Sequence, residues 1–248
     1  MKKSRKILIG ILICVIIGSV FYIGYYYVTQ NKNEKVYKKL QKEVVKQESK
    51  EEEPQTEESH VEIPIDFAQL QDQNPDIYAW IQIDGTNINY PVAQSAADNE
   101  YYLKHTFEGN YNAAGSIFID YTNNSNFEDC NTIIYGHNMK NGSMFGLLRK
   151  HFKDQESVPG RYIWICTPDK NYRYEIFSSH VVDAAGEVYT LFSAPDEQFA
   201  SYLEKMKSQS LVDFQTEVTA EDKVITLSTC TGNDATRFVV QAKREGTY

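Results

Sequence analysis

Three side chains in the second half of the chain have the chemistry and placement of a covalent catalytic group. Cys230 ends an apolar run, KVITLSTC, and is followed at once by Thr231, Gly232, Asn233 and Asp234, which read as a turn. A thiol at a strand end opens onto a cleft rather than into a packed layer. Arg237 opens the next run, RFVVQAK, seven residues later. If the two runs pair across the turn, thiol and guanidinium share one end of a sheet, where the cation can hold a negative carbonyl oxygen. His137 follows the run NTIIYG, directly after Gly136, read here as a flexible hinge, and beside Asn138. An imidazole there can exchange protons with a thiol or a leaving amine.

The remaining cysteines and histidines invite plainer roles. Cys14 is a small apolar residue in the N-terminal run, and Cys130 and Cys166 have the surroundings of buried strand thiols, a disulfide between them being the alternative. His60 falls in a charged segment, His105 in a polar loop, His151 at a helix end and His180 at a strand start; none has the strand-end setting of His137. No CxxC, HxxxH or D-x-D-x-D-G pattern is present, so neither a metal nor another cofactor is expected.

The elements that must carry these groups are mostly short strands. β-rich runs occur at 79–83, 86–92, 115–120, 131–136, 161–167, 171–177, 179–185, 223–229 and 237–243, with Asp84-Gly85 and Asp169 to Asn171 as turns. Eight or nine strands in about 190 residues predict a mainly β fold, a barrel or sandwich with flanking helices. Helices are expected at 66–72, at 143–152 and at 196–207. In the last, Phe199, Tyr202, Leu203 and Met206 make one apolar face, with Ser193 as N-cap.

Ahead of this body, Lys2, Lys3, Arg5 and Lys6 precede an uncharged apolar run from Ile7 to Val28. As a helix, 22 residues span about 33 Å, enough for a bilayer core of about 30 Å. The run closes on Tyr25, Tyr26, Tyr27 and Val28 without a small-x-small site, which favours an uncleaved anchor over a removed signal. The basic end predicts a cytoplasmic N-terminus and an extracellular remainder. Residues 29–60 read as a charged, solvated tether, with a short helix through Val36, Leu40 and Val44 as the alternative, and the globular domain as 61–248.

Composition sets outer limits. Of 248 residues, 42% are hydrophobic and 24% charged, enough apolar material for a packed core. The net charge of −9 is concentrated beyond residue 60, where 14 Lys and Arg face 26 Asp and Glu. So acidic a body repels phosphate backbones, which excludes a nucleic-acid partner. Four cysteines are too few for a disulfide scaffold.

The strings around the three reactive residues resemble the sortases, the cysteine transpeptidases of Gram-positive cell surfaces. TLSTC at 226–230, YGHNM at 135–139 and RFVV at 237–240 carry the likeness, supported by DGTNINYPVAQ at 84–94, DNEYYLKHTF at 98–107 and GSIFID at 115–120. The upstream strings and the long connection bearing the 196–207 helix look most like class B. The resemblance covers residues 65–243 and implies an eight-stranded β-barrel, with Cys230 as nucleophile, His137 as acid/base and Arg237 as transition-state stabiliser. Ser228 matches the position of a helper near the nucleophile, an ordinary strand serine being the alternative. Tyr135 and Asn138, flanking His137, are expected to line the groove. The implied substrate is a surface protein with a sorting signal similar to NP-x-T-N or NP-x-T-G, cut after Thr. The acceptor is an amine of a cell-wall precursor, or a pilin lysine in some relatives. A hydrolytic cysteine protease and an inactive membrane-tethered adhesion or scaffold module are the competing functions.

Overall fold

Eight strands close into a barrel in the order β1-β2-β3-β4-β7-β8-β6-β5. They are β1 (Ile77–Ile83), β2 (Asn89–Ala93), β3 (Ile117–Ile119), β4 (Asn131–Tyr135), β5 (Tyr162–Cys166), β6 (Asn171–Asp183), β7 (Val224–Cys230) and β8 (Thr236–Thr247). This computed structural model describes residues 3–45 and 65–248. Closure leaves no edge of this sheet unpaired among the described residues and encloses a core built on fully buried side chains such as Trp80, Tyr174 and Phe238.

Two sequence runs, 171–177 and 179–185, merge into the single strand β6. Its pairing with β8 shifts register between Ile176 and Ser178, so a bulge, not a turn, separates the two halves. The Asp84-Gly85 turn is as expected, with Gly85 at φ +71° and pressed against Pro159. Most strands pair antiparallel with a neighbour, but β2 with β3 and β4 with β7 run parallel.

The helices begin with α1 (Lys3–Val44), followed by α2 (Phe67–Gln73), α3 (Glu100–Lys104), α4 (Leu148–Phe152) and α5 (Glu197–Ser208). Asp66 caps α2 by accepting from the Gln69 amide at 3.0 Å. The 143–152 segment is helical only from Leu148, because Met144 adopts φ +54° and breaks the earlier turn, yet Met144, Phe145, Leu148 and Phe152 are all buried. Phe199, Tyr202, Leu203 and Met206 form the buried face of α5 as expected. Its N-cap is Asp196, not Ser193: the carboxylate accepts from the Gln198 and Phe199 amides at 3.0 Å each, and an acid also complements the positive helix end. The five-residue α3 is too short to show a helical period in the sequence.

Residues up to Lys39 and residues 40–248 form two units. In the first, the apolar stretch of α1 exposes its side chains, as with Phe21 at 76%, and α1 is the one helix among the described residues long and apolar enough to cross a membrane. The helix continues where a solvated tether was expected, since no Gly or Pro interrupts residues 29–44 and Lys38 donates to Glu34 at 2.6 Å one turn away. In the second unit, Leu40 and Val44 are buried, and Gln41 donates to the Asn89 carbonyl. The rest of the expected tether, including Glu51 to Glu53 and His60, and the expected domain start at residue 61 lie outside the described residues.

Candidate active site

The order of three neighbouring strands, β4, β7 and β8, assembles the site at one rim of the barrel. β7 and β8 form a hairpin whose last antiparallel pair is Cys230 with Arg237, so the two residues face each other across the strand ends. On the other side of β7, β4 runs parallel in a register that pairs Tyr135 with Ser228, and the Gly136 amide extends the ladder to the Ser228 carbonyl at 3.1 Å. Two residues further along both strands stand His137 and Cys230. With neighbouring strands about 4.8 Å apart, imidazole, thiol and guanidinium follow one another along the rim. All three line one cavity of about 560 Å³, together with Asn99, Tyr135 and Ser228.

Gly136 is there for space, not flexibility. A Cβ at this position would lie 2.5 Å from Ile117 and 2.6 Å from Phe145, so no larger residue lets the chain leave β4 at this point. The His137 ring is fixed from behind by a 2.7 Å hydrogen bond between its Nε2 and the carbonyl of Leu103 on α3. A carbonyl can only accept, so Nε2 carries the hydrogen, and Nδ1 is the nitrogen able to take up and release a proton.

Arg237 uses Nη1 to hold its own turn, donating to the carbonyls of Asp234 and Thr236 at 2.9 Å each. Nη2 and Nε have no hydrogen-bond partner among the described residues, leaving part of the guanidinium available to an oxyanion. The turn itself is shaped by Gly232, at φ +91° with open space around its Cα. Cys230 is half-buried and free, and its carbonyl accepts from the Asn138 side chain at 2.7 Å. Asn138 therefore does not line the cavity as expected but ties the loop after β4 to the end of β7. Its amide is already committed to the backbone.

Tyr135 does line the cavity, and its hydroxyl donates to Asp120 at 3.0 Å. Burial and then the Asp120 charge raise its pKa well above the usual phenol range, so it remains a neutral donor. Ser228 is almost fully buried, with its Oγ 2.8 Å from the hydroxyl of Tyr189. Tyr189, Asn99 and Leu103 were not singled out in the sequence. Asn99 and Leu103 sit in the DNEYYLKHTF string, whose period is too brief to orient them, and Tyr189 lies in the long β6–β7 connection.

The other candidates are elsewhere. Cys130, Cys166 and Cys14 are all free thiols, so the alternative of a Cys130–Cys166 disulfide does not hold. Burial pushes Cys166 up to about 12 and raises Cys130 as well, making both poor nucleophiles. His105 stacks on Tyr101 at 4.3 Å, and burial followed by the charge of Lys150 lowers the pKa of His151. His180 is buried beneath α5.

A family model described as the sortase domain matches residues 81–245. Sortase B of Listeria monocytogenes is 40% identical over 187 residues, spanning 73% of this chain and 75% of that protein. Sortase B of Staphylococcus aureus is 29% identical over 246 residues, 98% of this chain and 97% of its own. Among solved structures, sortase B from B. anthracis in complex with AAEK1 superimposes with a TM-score of 0.73 at 38% identity, covering 88% of this chain and 98% of that one.

Proposed function

Because the chain belongs to the sortase family, class B, and is on that ground a cysteine transpeptidase that anchors surface proteins, we propose that it cuts an NP-x-T-N or NP-x-T-G-like signal after Thr and passes the acyl group to an amine of a cell-wall precursor. Cys230 is the nucleophile, His137 the acid/base and Arg237 the oxyanion holder. The observation that carries these roles is the single cavity lined by all three residues at the ends of adjacent strands.

The reaction runs in two balanced halves. The Cys230 thiolate adds to the Thr carbonyl carbon, and the oxygen takes up the negative charge beside the Arg237 guanidinium. Collapse of the tetrahedral intermediate breaks the C–N bond, and the leaving amine takes a proton from Nδ1 of the His137 imidazolium. The acceptor amine then attacks the thioester, gives a proton back to Nδ1 and expels the Cys230 thiolate. The Nε2 bond to Leu103 supports this assignment, since it persists whether or not Nδ1 is protonated.

The apolar stretch of α1 is the membrane anchor, with the basic N-terminus cytoplasmic and the barrel extracellular; the lysines and arginine before Ile7 support that orientation. The test of function is incubation with a fluorescent NP-x-T-N peptide, with and without a glycyl peptide as amine acceptor. A ligated product that depends on the acceptor, with an acyl adduct on Cys230 by mass spectrometry, is the expected result. Cleavage whose rate and product ignore the amine would make the protein a hydrolase instead.

A further inference from the structure

Behind the cavity lies a carboxylate that the reaction does not touch but on which two of its walls depend. Asp120, directly after β3, is only 8% exposed. Its two oxygens are divided between two tasks. Oδ1 accepts from the amide and the hydroxyl of Thr122, at 2.9 and 2.5 Å, which closes the local turn. Oδ2 accepts from Nδ2 of Asn99 at 2.8 Å and from the hydroxyl of Tyr135 at 3.0 Å, and both of those residues line the cavity with Cys230 and His137.

The partners of Asn99 make this arrangement one-way. Its Oδ1 accepts from the backbone amide of Tyr121 at 2.9 Å while its Nδ2 donates to Asp120, so the side-chain amide cannot flip without losing both bonds. Asn99 also immediately precedes α3, the helix whose Leu103 carbonyl holds His137. We propose that Asp120 is a positioning residue, which fixes the orientation of Asn99 and Tyr135 and so sets how tightly the cavity grips the sorting peptide. The proposal rests on the transpeptidase function only in taking that peptide as the occupant.

The chemistry of the carboxylate predicts which substitution is informative. All four groups around Asp120 donate, and only a carboxylate accepts at both oxygens. Asp120→Asn, an isosteric change, can turn its NH2 toward Thr122 and keep the Asn99–Tyr135 pair on its oxygen, whereas Asp120→Ala removes both acceptor oxygens and releases Asn99 in every case. Thr122→Val serves as the structural control, because it removes a donor from Oδ1 and leaves the Oδ2 partners in place.

The experiment uses the full chain in detergent with selective ¹⁵N-asparagine labelling, and steady-state kinetics with an NP-x-T-N peptide and a glycyl acceptor. In the native protein the Asn99 side-chain amide gives two well-separated proton signals, and in Asp120→Ala they collapse toward the shifts of a free amide. Thr122→Val leaves them in place. KM for the peptide rises about tenfold in Asp120→Ala and in Asn99→Ala, with kcat changed far less, and Thr122→Val stays within about twofold of the native KM. The double variant Asn99→Ala/Asp120→Ala exceeds Asn99→Ala only by the share that acts through Tyr135. Undisturbed Asn99 signals in Asp120→Ala would overturn the proposal, as would KM effects that multiply fully in the double variant. The resonance measurement decides the positioning role even if no peptide is turned over, so failure of the enzyme function and failure of this inference give different results.

Discussion

The wall of the barrel and its rim hold the same residue types in opposite states. Cys166 ends β5 inside the packed sheet, 1% exposed and with its thiol driven up to about 12, whereas Cys230 ends β7 half-exposed beside a cavity and a guanidinium. His180 sits in β6 with Nδ1 donating to Ser178 Oγ at 3.0 Å, while that hydroxyl donates to the Met206 carbonyl at 2.8 Å. His137 is pinned through Nε2, with Nδ1 left for exchange. In the wall, burial has removed the chemistry from cysteine and histidine alike. At the rim, strand ends supply partial solvation and backbone anchors without closing the reactive atoms in.

The largest expected contrast is between the two cysteines. Cys230→Ala abolishes the acyl adduct and all amine-dependent ligation. Cys166→Ala retains both and lowers unfolding stability by about 1 kcal/mol, the cost of a small buried void. Mass spectrometry after incubation with peptide, together with denaturant titration, checks the pair. A native thiol labelled at Cys166 as fast as at Cys230 would erase the distinction between wall and rim.

Arg237→Lys tests the rim alone. A lysine ammonium has a single nitrogen, so it cannot hold the Asp234 and Thr236 carbonyls and an oxyanion in the same fork geometry. Loss of about 100-fold in kcat/KM is expected, most of it in kcat, with little change in stability because the residue stands at a strand end.

How far these placements could be read from the sequence depended on chain separation. The Cys230–Arg237 pairing is local, the two residues lying seven positions apart around a Gly-containing turn, and that turn between two β-rich runs carried it. The meeting of His137 with Cys230 requires β4 and β7 to lie parallel, a contact across more than ninety residues that no local pattern encodes; only the resemblance of the surrounding strings brought the two together. The bulge in β6 looked like a break because Ser178 and Ser179 interrupt the apolar pattern, yet both are buried, with hydroxyls spent on the Met206 and Phe152 carbonyls. Asn138 looked like a groove residue because it adjoins His137, but side-chain direction at a strand exit follows from the backbone path, which nothing in its neighbours specifies. Asp120 was visible only as the last letter of GSIFID.

His180 offers a test of the wall by pH. Burial lowers its pKa to about 4, from a reference near 6.5, and its Nε2 has no hydrogen-bond partner among the described residues. The unfolded chain therefore binds a proton that the native state refuses between about pH 6.5 and 4. In that window stability falls as pH falls, and the full difference is worth on the order of 3 kcal/mol. His180→Asn should flatten this part of the stability curve, leaving the carboxylates to account for the remaining slope. Denaturant unfolding at pH 7, 5.5 and 4.5 measures it, and an unchanged slope would show that the wall tolerates a charged imidazole.

The smallest effect is expected where wall and rim meet. The Tyr189 hydroxyl lies 2.8 Å from Ser228 Oγ, and burial raises the tyrosine pKa, so the pair is a neutral hydrogen bond at any physiological pH. Tyr189 also faces Tyr135 at 6.2 Å between ring centres, so removing only its hydroxyl leaves the aromatic contact in place. Tyr189→Phe should cost about 1 kcal/mol at most. If Ser228 serves the reaction, that cost appears as a severalfold loss in kcat/KM that Ser228→Ala does not deepen when combined. If Ser228 is only a strand residue, it appears instead as a shift in unfolding midpoint with kinetics intact. The same bond thus reports whether the boundary between inert wall and reactive rim falls before Ser228 or between Ser228 and Cys230.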